Sequence, residues 1–138
     1  MQVSDIMSRR VVTIAWDDPL WRVQEIFERN RFHHLLVVEA DRLVGVLSDR
    51  DLLKALSPNL GTLSETPADA ATLQKKVHQV ASHKPIVLPP DATIPDAIAL
   101  FNSYSISCIP IVDGEFRPVG VLSWRDILRS LGGGPLQA

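Results

Sequence analysis

Val44-Gly45-Val46-Leu47-Ser48-Asp49-Arg50-Asp51-Leu52-Leu53 recurs almost unchanged as Val119-Gly120-Val121-Leu122-Ser123-Trp124-Arg125-Asp126-Ile127-Leu128. Eight of the ten positions are identical, which is too many for chance over so short a stretch. Each copy reads as an apolar strand, a turn, and a second apolar run on a helix. The Ser is placed to cap that helix, and the Asp falls in its first turn, where the helix dipole favours negative charge. Read singly, Ser and Asp are satisfied as capping residues. Read together, the two copies mark an internal repeat, and a repeat decides the architecture before any other feature.

Outside this stretch the two halves stay in register. Val3-Ser4-Asp5-Ile6-Met7 leads into the first copy, and His78-Gln79-Val80-Ala81-Ser82 is its counterpart. Val11-Val12-Thr13-Ile14 reads as a β-branched strand matched by Pro85-Ile86-Val87-Leu88. Asp17-Asp18-Pro19-Leu20 reads as a helix start with an acidic cap and Pro at the first helical position. Leu20, Val23, Ile26 and Phe27 then recur at helical spacing, and a second such helix begins at Asp91 and carries Ile94, Ala97, Ile98 and Phe101. Leu35-Leu36-Val37-Val38 and Ile109-Pro110-Ile111-Val112 are apolar runs of strand length, each joined by a hairpin connection to the repeated motif. Each half is therefore β-α-β-β-α, its last helix running from Asp49 to about Leu56 or from Trp124 to about Leu131. The predicted organisation is a first domain over 1–57, a partly helical connector over 58–76 with a helix starting at Thr66-Pro67, a second domain over 77–131, and a flexible tail over 132–138.

Composition bounds the function. The 138 residues are 46% hydrophobic, enough for one compact core or two small ones. A formal net charge of −2 lacks the basic footprint that nucleic-acid binding needs. The one cysteine, Cys108, has no internal partner, which fits a reducing compartment. The N-terminus lacks the pattern of a signal peptide, and no apolar run approaches the roughly 18 residues of a membrane span, so a cytoplasmic protein without membrane insertion is expected.

The ordered set of features, occurring twice, resembles a tandem pair of CBS domains, often called a Bateman module. The carriers are Ile6-Met7, Val12-Thr13-Ile14, His34-Leu35-Leu36-Val37-Val38, Ile109-Pro110-Ile111-Val112-Asp113 and the two Gly-x-x-Ser-x-Arg-Asp stretches. The resemblance covers 3–131 and implies an α/β (α+β) fold of two β-α-β-β-α repeats packed about a pseudo-two-fold axis. It further implies inter-repeat clefts for adenosine-containing ligands, AMP, ADP or ATP with S-adenosylmethionine as a further candidate. A homodimer and a regulatory role toward a protein effector are implied as well.

Carried over by position, the resemblance assigns the ribose hydroxyls to Asp51 with Ser48 and to Asp126 with Ser123, since an ionised carboxylate accepts strongly from adjacent hydroxyls. Arg50 and Arg125 become candidates for phosphate contact, against the alternative of solvated arginines. His33 and His34 stand where relatives place phosphate-contacting residues, so the cleft holding Asp51 is expected to be the more anion-friendly. That cleft would include Val46 and, from the second repeat, Ala92, Ala97, Ile106 and Ser107. The cleft holding Asp126 would include Val121 and, from the first repeat, Asp18, Val23, Phe32 and His33, with Asp18 disfavouring phosphate.

Three readings follow. The first is a stand-alone sensor of adenine nucleotides. The second is a dimerisation or scaffold protein with vestigial clefts, to which Trp16, Trp21 and Trp124 would contribute aromatic surface. The third, an enzyme, is disfavoured: Cys108 has no positioned base, and neither a Gly-x-Ser-x-Gly nor a P-loop is present. No catalytic residue, catalytic cofactor or metal is expected, because adjacent histidines on a strand point to opposite faces and chelate poorly.

Overall fold

The structure, a computed structural model, describes residues 1–132. Of the expected tail over 132–138, residues 133–138 lie outside the described residues. In chain order the elements are β1 (Thr13–Ala15), α1 (Leu20–Arg29), β2 (His34–Glu39), β3 (Arg42–Ser48), α2 (Asp49–Ala55), α3 (Pro67–Ala71), β4 (Ser82–His83), α4 (Ile94–Ser103), β5 (Cys108–Val112), β6 (Pro118–Ser123) and α5 (Trp124–Leu131). Short 3-10 turns at Val3–Asp5 and Val77–Gln79 occupy equivalent places in the two repeats.

The chain parts into two compact units that do not coincide with the sequence repeats. One holds Val12–Ala40 and Val44–Pro85, and with them the first motif; we call it the Asp51 unit. The other, the Asp126 unit, holds Met1–Val11, Asp41–Leu43 and the chain from Ile86 onward. The lead-in of each repeat therefore belongs to the core of the other. Val77 and Ala81 are buried with Ile14, Leu20, Val23, Leu35, Val37, Leu47 and Leu52. Val3 and Met7, their equivalents, are buried with Ala97, Phe101, Ile109, Ile111, Leu122 and Ile127. Burying a Leu or Val side chain of this kind contributes about 1.5–3 kcal/mol, so each lead-in adds materially to its core.

In the Asp51 unit the sheet order is β1-β2-β3-β4. β1 runs parallel to β2 with Ile14 opposite Val37, and β4 runs antiparallel to β3 with Gly45 opposite His83. The Asp126 unit repeats the arrangement in thinner form. β5 and β6 pair antiparallel from Cys108–Ser123 onward, with an irregularity at Ile111/Val112. The outer strands shrink to single bridges: Leu88 parallel to Ile111, and Ser8 antiparallel to Val121.

That thinning corrects one expectation: Pro85-Ile86-Val87-Leu88 forms no strand, only the Leu88 bridge. Pro85, Pro89 and Pro90 lack the N–H that a ladder requires. The helix starts also differ. Pro19 occupies the cap position of α1 itself, and Asp18 turns back to accept the Ala15 N–H at 2.9 Å. α4 starts at Ile94 rather than Asp91, because Thr93 and Asp96 form a capping box there. In the connector, Thr66 caps α3 as its Thr-Pro sequence predicts, Asp69 completing the box.

Candidate functional site

The repeated motif places its Ser and Asp by the same device in each unit. β3 ends at Ser48, which caps α2: its Oγ accepts the Asp51 N–H at 3.1 Å, and Asp51 Oδ2 accepts the Ser48 N–H at 2.9 Å. β6 ends at Ser123, whose N–H donates to Asp126 Oδ2 at 2.8 Å, while the Asp126 N–H donates to Ser123 Oγ at 3.3 Å. The Ser123 hydroxyl also lies 3.1 Å from Asp126 Oδ2. These reciprocal bonds satisfy the orphan donors of the helix start and fix each carboxylate in one orientation. All four residues are half-buried. Oδ2 is engaged by the cap in both copies; Oδ1 of neither Asp accepts a hydrogen bond from the described residues.

The motif glycines are explained by packing. A Cβ on Gly45 would meet the Ser82 carbonyl oxygen, and one on Gly120 would meet the Met7 side chain. In each unit the glycine lets the lead-in segment of the other repeat cross the motif strand.

The remaining expected residues divide between the units. Asp18, Val23, Phe32, His33, His34, Val46 and Arg50 lie with Ser48 and Asp51. Ala92, Ala97, Ile106, Ser107, Val121 and Arg125 lie with Ser123 and Asp126. Val23, Ala92 and Ala97 are buried, which suits core packing; Val46, Val121, Phe32 and Ile106 are half-buried. Arg50 and Arg125 are exposed, and among the described residues neither forms an ion pair.

The histidines are more constrained than the sequence suggested. His33 is exposed, and its Nδ1 lies 2.8 Å from Asp49 Oδ2, so a carboxylate already faces any charge it carries. His34 is half-buried. Burial pushes its imidazole below the ordinary histidine value; Asp49 opposes this, His33 adds to it, and Asp51 opposes it more weakly. Asp18, expected as a repulsive carboxylate, lies 3.6 Å from the Arg22 guanidinium. Cys108 is buried, and desolvation pushes its thiol up to about 12, which makes it an inert core residue. Trp16 stacks on His78 and tilts against His83, whereas Trp21 and Trp124 are exposed. Among the described residues no three His, Cys, Asp or Glu side chains gather as a metal site, and no helix is long and apolar enough to cross a membrane.

Sequence reasoning missed Asp49 as a site neighbour, although it lies within the motif. It also missed a cavity of about 400 Å³ in the Asp51 unit, lined by Asp51, Lys54, Ala55, Lys75, Gln79 and Val80. Lys54 and Ala55 follow Asp51 at helical spacing and were legible as sharing its face. Lys75 and Gln79 come from the connector and the Val77–Gln79 turn, which local pattern cannot place.

The CBS domain family model matches residues 3–58 and again 77–133. The chain belongs to the CBS domain family. It is a tandem CBS pair with the α+β fold that its repeat implied. The pair is 28% identical to the uncharacterized protein MJ1426 of Methanocaldococcus jannaschii, over 95% of this chain and 91% of that protein. It is 26% identical to the L-aspartate semialdehyde sulfurtransferase of the same organism, again over 95% of this chain but spanning only 23% of the relative. Among solved structures, it is similar to the CBS domain pair of protein MJ0100 in complex with 5′-methylthioadenosine and S-adenosyl-L-methionine. That likeness has a TM-score of 0.77 and 26% identity, over 96% of this chain and 97% of that one.

Proposed function

We propose that this CBS pair is a regulatory module that binds an adenosine-containing ligand through Asp51 and Asp126, and that it acts as a homodimer on a protein effector in the cytoplasm. The observation carrying the proposal is the duplicated, fixed carboxylate. Each Asp is oriented by its cap and keeps Oδ1 for an outside donor, the requirement for gripping a pair of ribose hydroxyls. The 26% identical CBS pair that holds two adenosine derivatives supports the ligand class. Arg50 and Arg125, one position before each Asp, are exposed and add positive charge next to each motif carboxylate in the chain. Trp124, Leu128 and Leu131, 39%, 64% and 73% exposed along one face of α5, support a self-association surface.

A scaffold reading has its own support: the Ser–Asp pairs are fully explained as capping boxes, so they would persist without a ligand. Thermal unfolding with AMP, ADP, ATP, S-adenosylmethionine and 5′-methylthioadenosine separates the two, because a ligand of the native state alone must raise stability by mass action. A dose-dependent rise with any of them is expected; none at millimolar ligand favours the scaffold.

A further inference from the structure

Resting on the adenosine reading, we propose that the cavity flanked by Lys54 and Lys75 receives the phosphates of the ligand held at Asp51, so that this unit selects a nucleotide over an uncharged or sulfonium-bearing adenosine derivative. The cavity of about 400 Å³ has three chemically distinct walls, all within the Asp51 unit. Asp51 supplies an acceptor for hydroxyls. Ala55 and Val80 supply apolar surface. Lys54, Lys75 and Gln79 supply donors.

The two ammonium groups are held differently. Lys75 donates to the Ala55 carbonyl at 3.1 Å, which fixes it beside the cavity while satisfying a carbonyl at the end of α2. Lys54 is exposed and forms no ion pair among the described residues. Gln79 Oε1 accepts the Lys76 N–H at 2.7 Å, leaving its amide nitrogen to donate. Lys54 lies in the last turn of α2, where its charge also complements the helix dipole. With one carboxylate against two ammonium groups, the lining carries net positive charge. A sulfonium is repelled there; a phosphate chain gains charge-assisted hydrogen bonds.

Isothermal titration of the full chain with ADP, adenosine and S-adenosylmethionine tests this. Wild type is expected to bind ADP more tightly than adenosine or S-adenosylmethionine. Lys54→Gln/Lys75→Gln should weaken ADP at least about tenfold, the scale of one charge-assisted hydrogen bond, and leave adenosine unchanged. Lys54→Gln alone, which spares the contact at the end of α2, should lose part of the effect, and Lys54→Arg should retain ADP binding. Equal losses for ADP and adenosine, no loss for either, or tighter binding of S-adenosylmethionine than ADP would overturn the phosphate assignment while the adenosine reading stands. Failure of wild type to bind any of the three would overturn both.

Discussion

A Cβ placed on Gly45 would stand 2.5 Å from the carbonyl oxygen of Ser82. The partner is backbone in a paired strand, with Val46 opposite Ser82, so it has little room to retreat. Gly45→Ala should therefore destabilise by about 1–3 kcal/mol, the range for overpacking. At Gly120 the obstacle is the Met7 thioether, which has rotamers to use. Gly120→Ala should cost less, and Gly120→Ala/Met7→Leu less again. Urea unfolding of the three variants checks the order; equal losses at 45 and 120 would contradict the packing account.

The hairpin between β2 and β3 turns through Ala40 at φ 50° and Asp41 at φ 65°. Both central residues at positive φ define the turn that suits hairpin twist, but Ala has no side-chain compensation there. Ala40→Gly should raise stability by about 1 kcal/mol, the left-handed cost to alanine of about 1–2 kcal/mol less the greater unfolded-state entropy of glycine. A lower melting temperature would show that the turn is held by contacts of the alanine methyl.

His34 sets a pH dependence. Its native value is depressed below the ordinary 6.5, chiefly by burial. As pH falls below about 6.5 the unfolded chain takes up this proton before the native one does, so stability drops until the native value is passed. The carboxylates of Asp69, Asp96 and Asp113, held below their usual range by hydrogen bonds, act only at still lower pH. Between pH 7.5 and 5, wild type should lose more stability than His34→Gln. Parallel curves for the two proteins would remove His34 from the account.

Much of this was legible because it is local. The repeated Ser-x-Arg-Asp specified both capping boxes, and the apolar run before it specified β3 and β6. The exchange of lead-in segments was not legible, since Val3 and Val77 look alike and sequence does not say which core takes which. Likewise, the Asp at 49 is Trp at 124, so the pairing of His33 with Asp49 has no echo in the second repeat to expose it. The β-branched character of Ile86 and Val87 predicted a strand that the surrounding prolines prevent.

In the proposed function, Asp51 and Asp126 hold the ligand and do not merely cap helices. Losing a cap costs about 1 kcal/mol, so Asp51→Ala/Asp126→Ala should remain folded at low temperature, which far-ultraviolet circular dichroism will verify. Isothermal titration of wild type and this double variant with ADP is the most direct test. The variant should lose about 1.5–3 kcal/mol of binding free energy at each site, the range for a hydrogen bond to a charged group. Affinity equal to wild type in the folded double variant would show that the two carboxylates serve the helices alone.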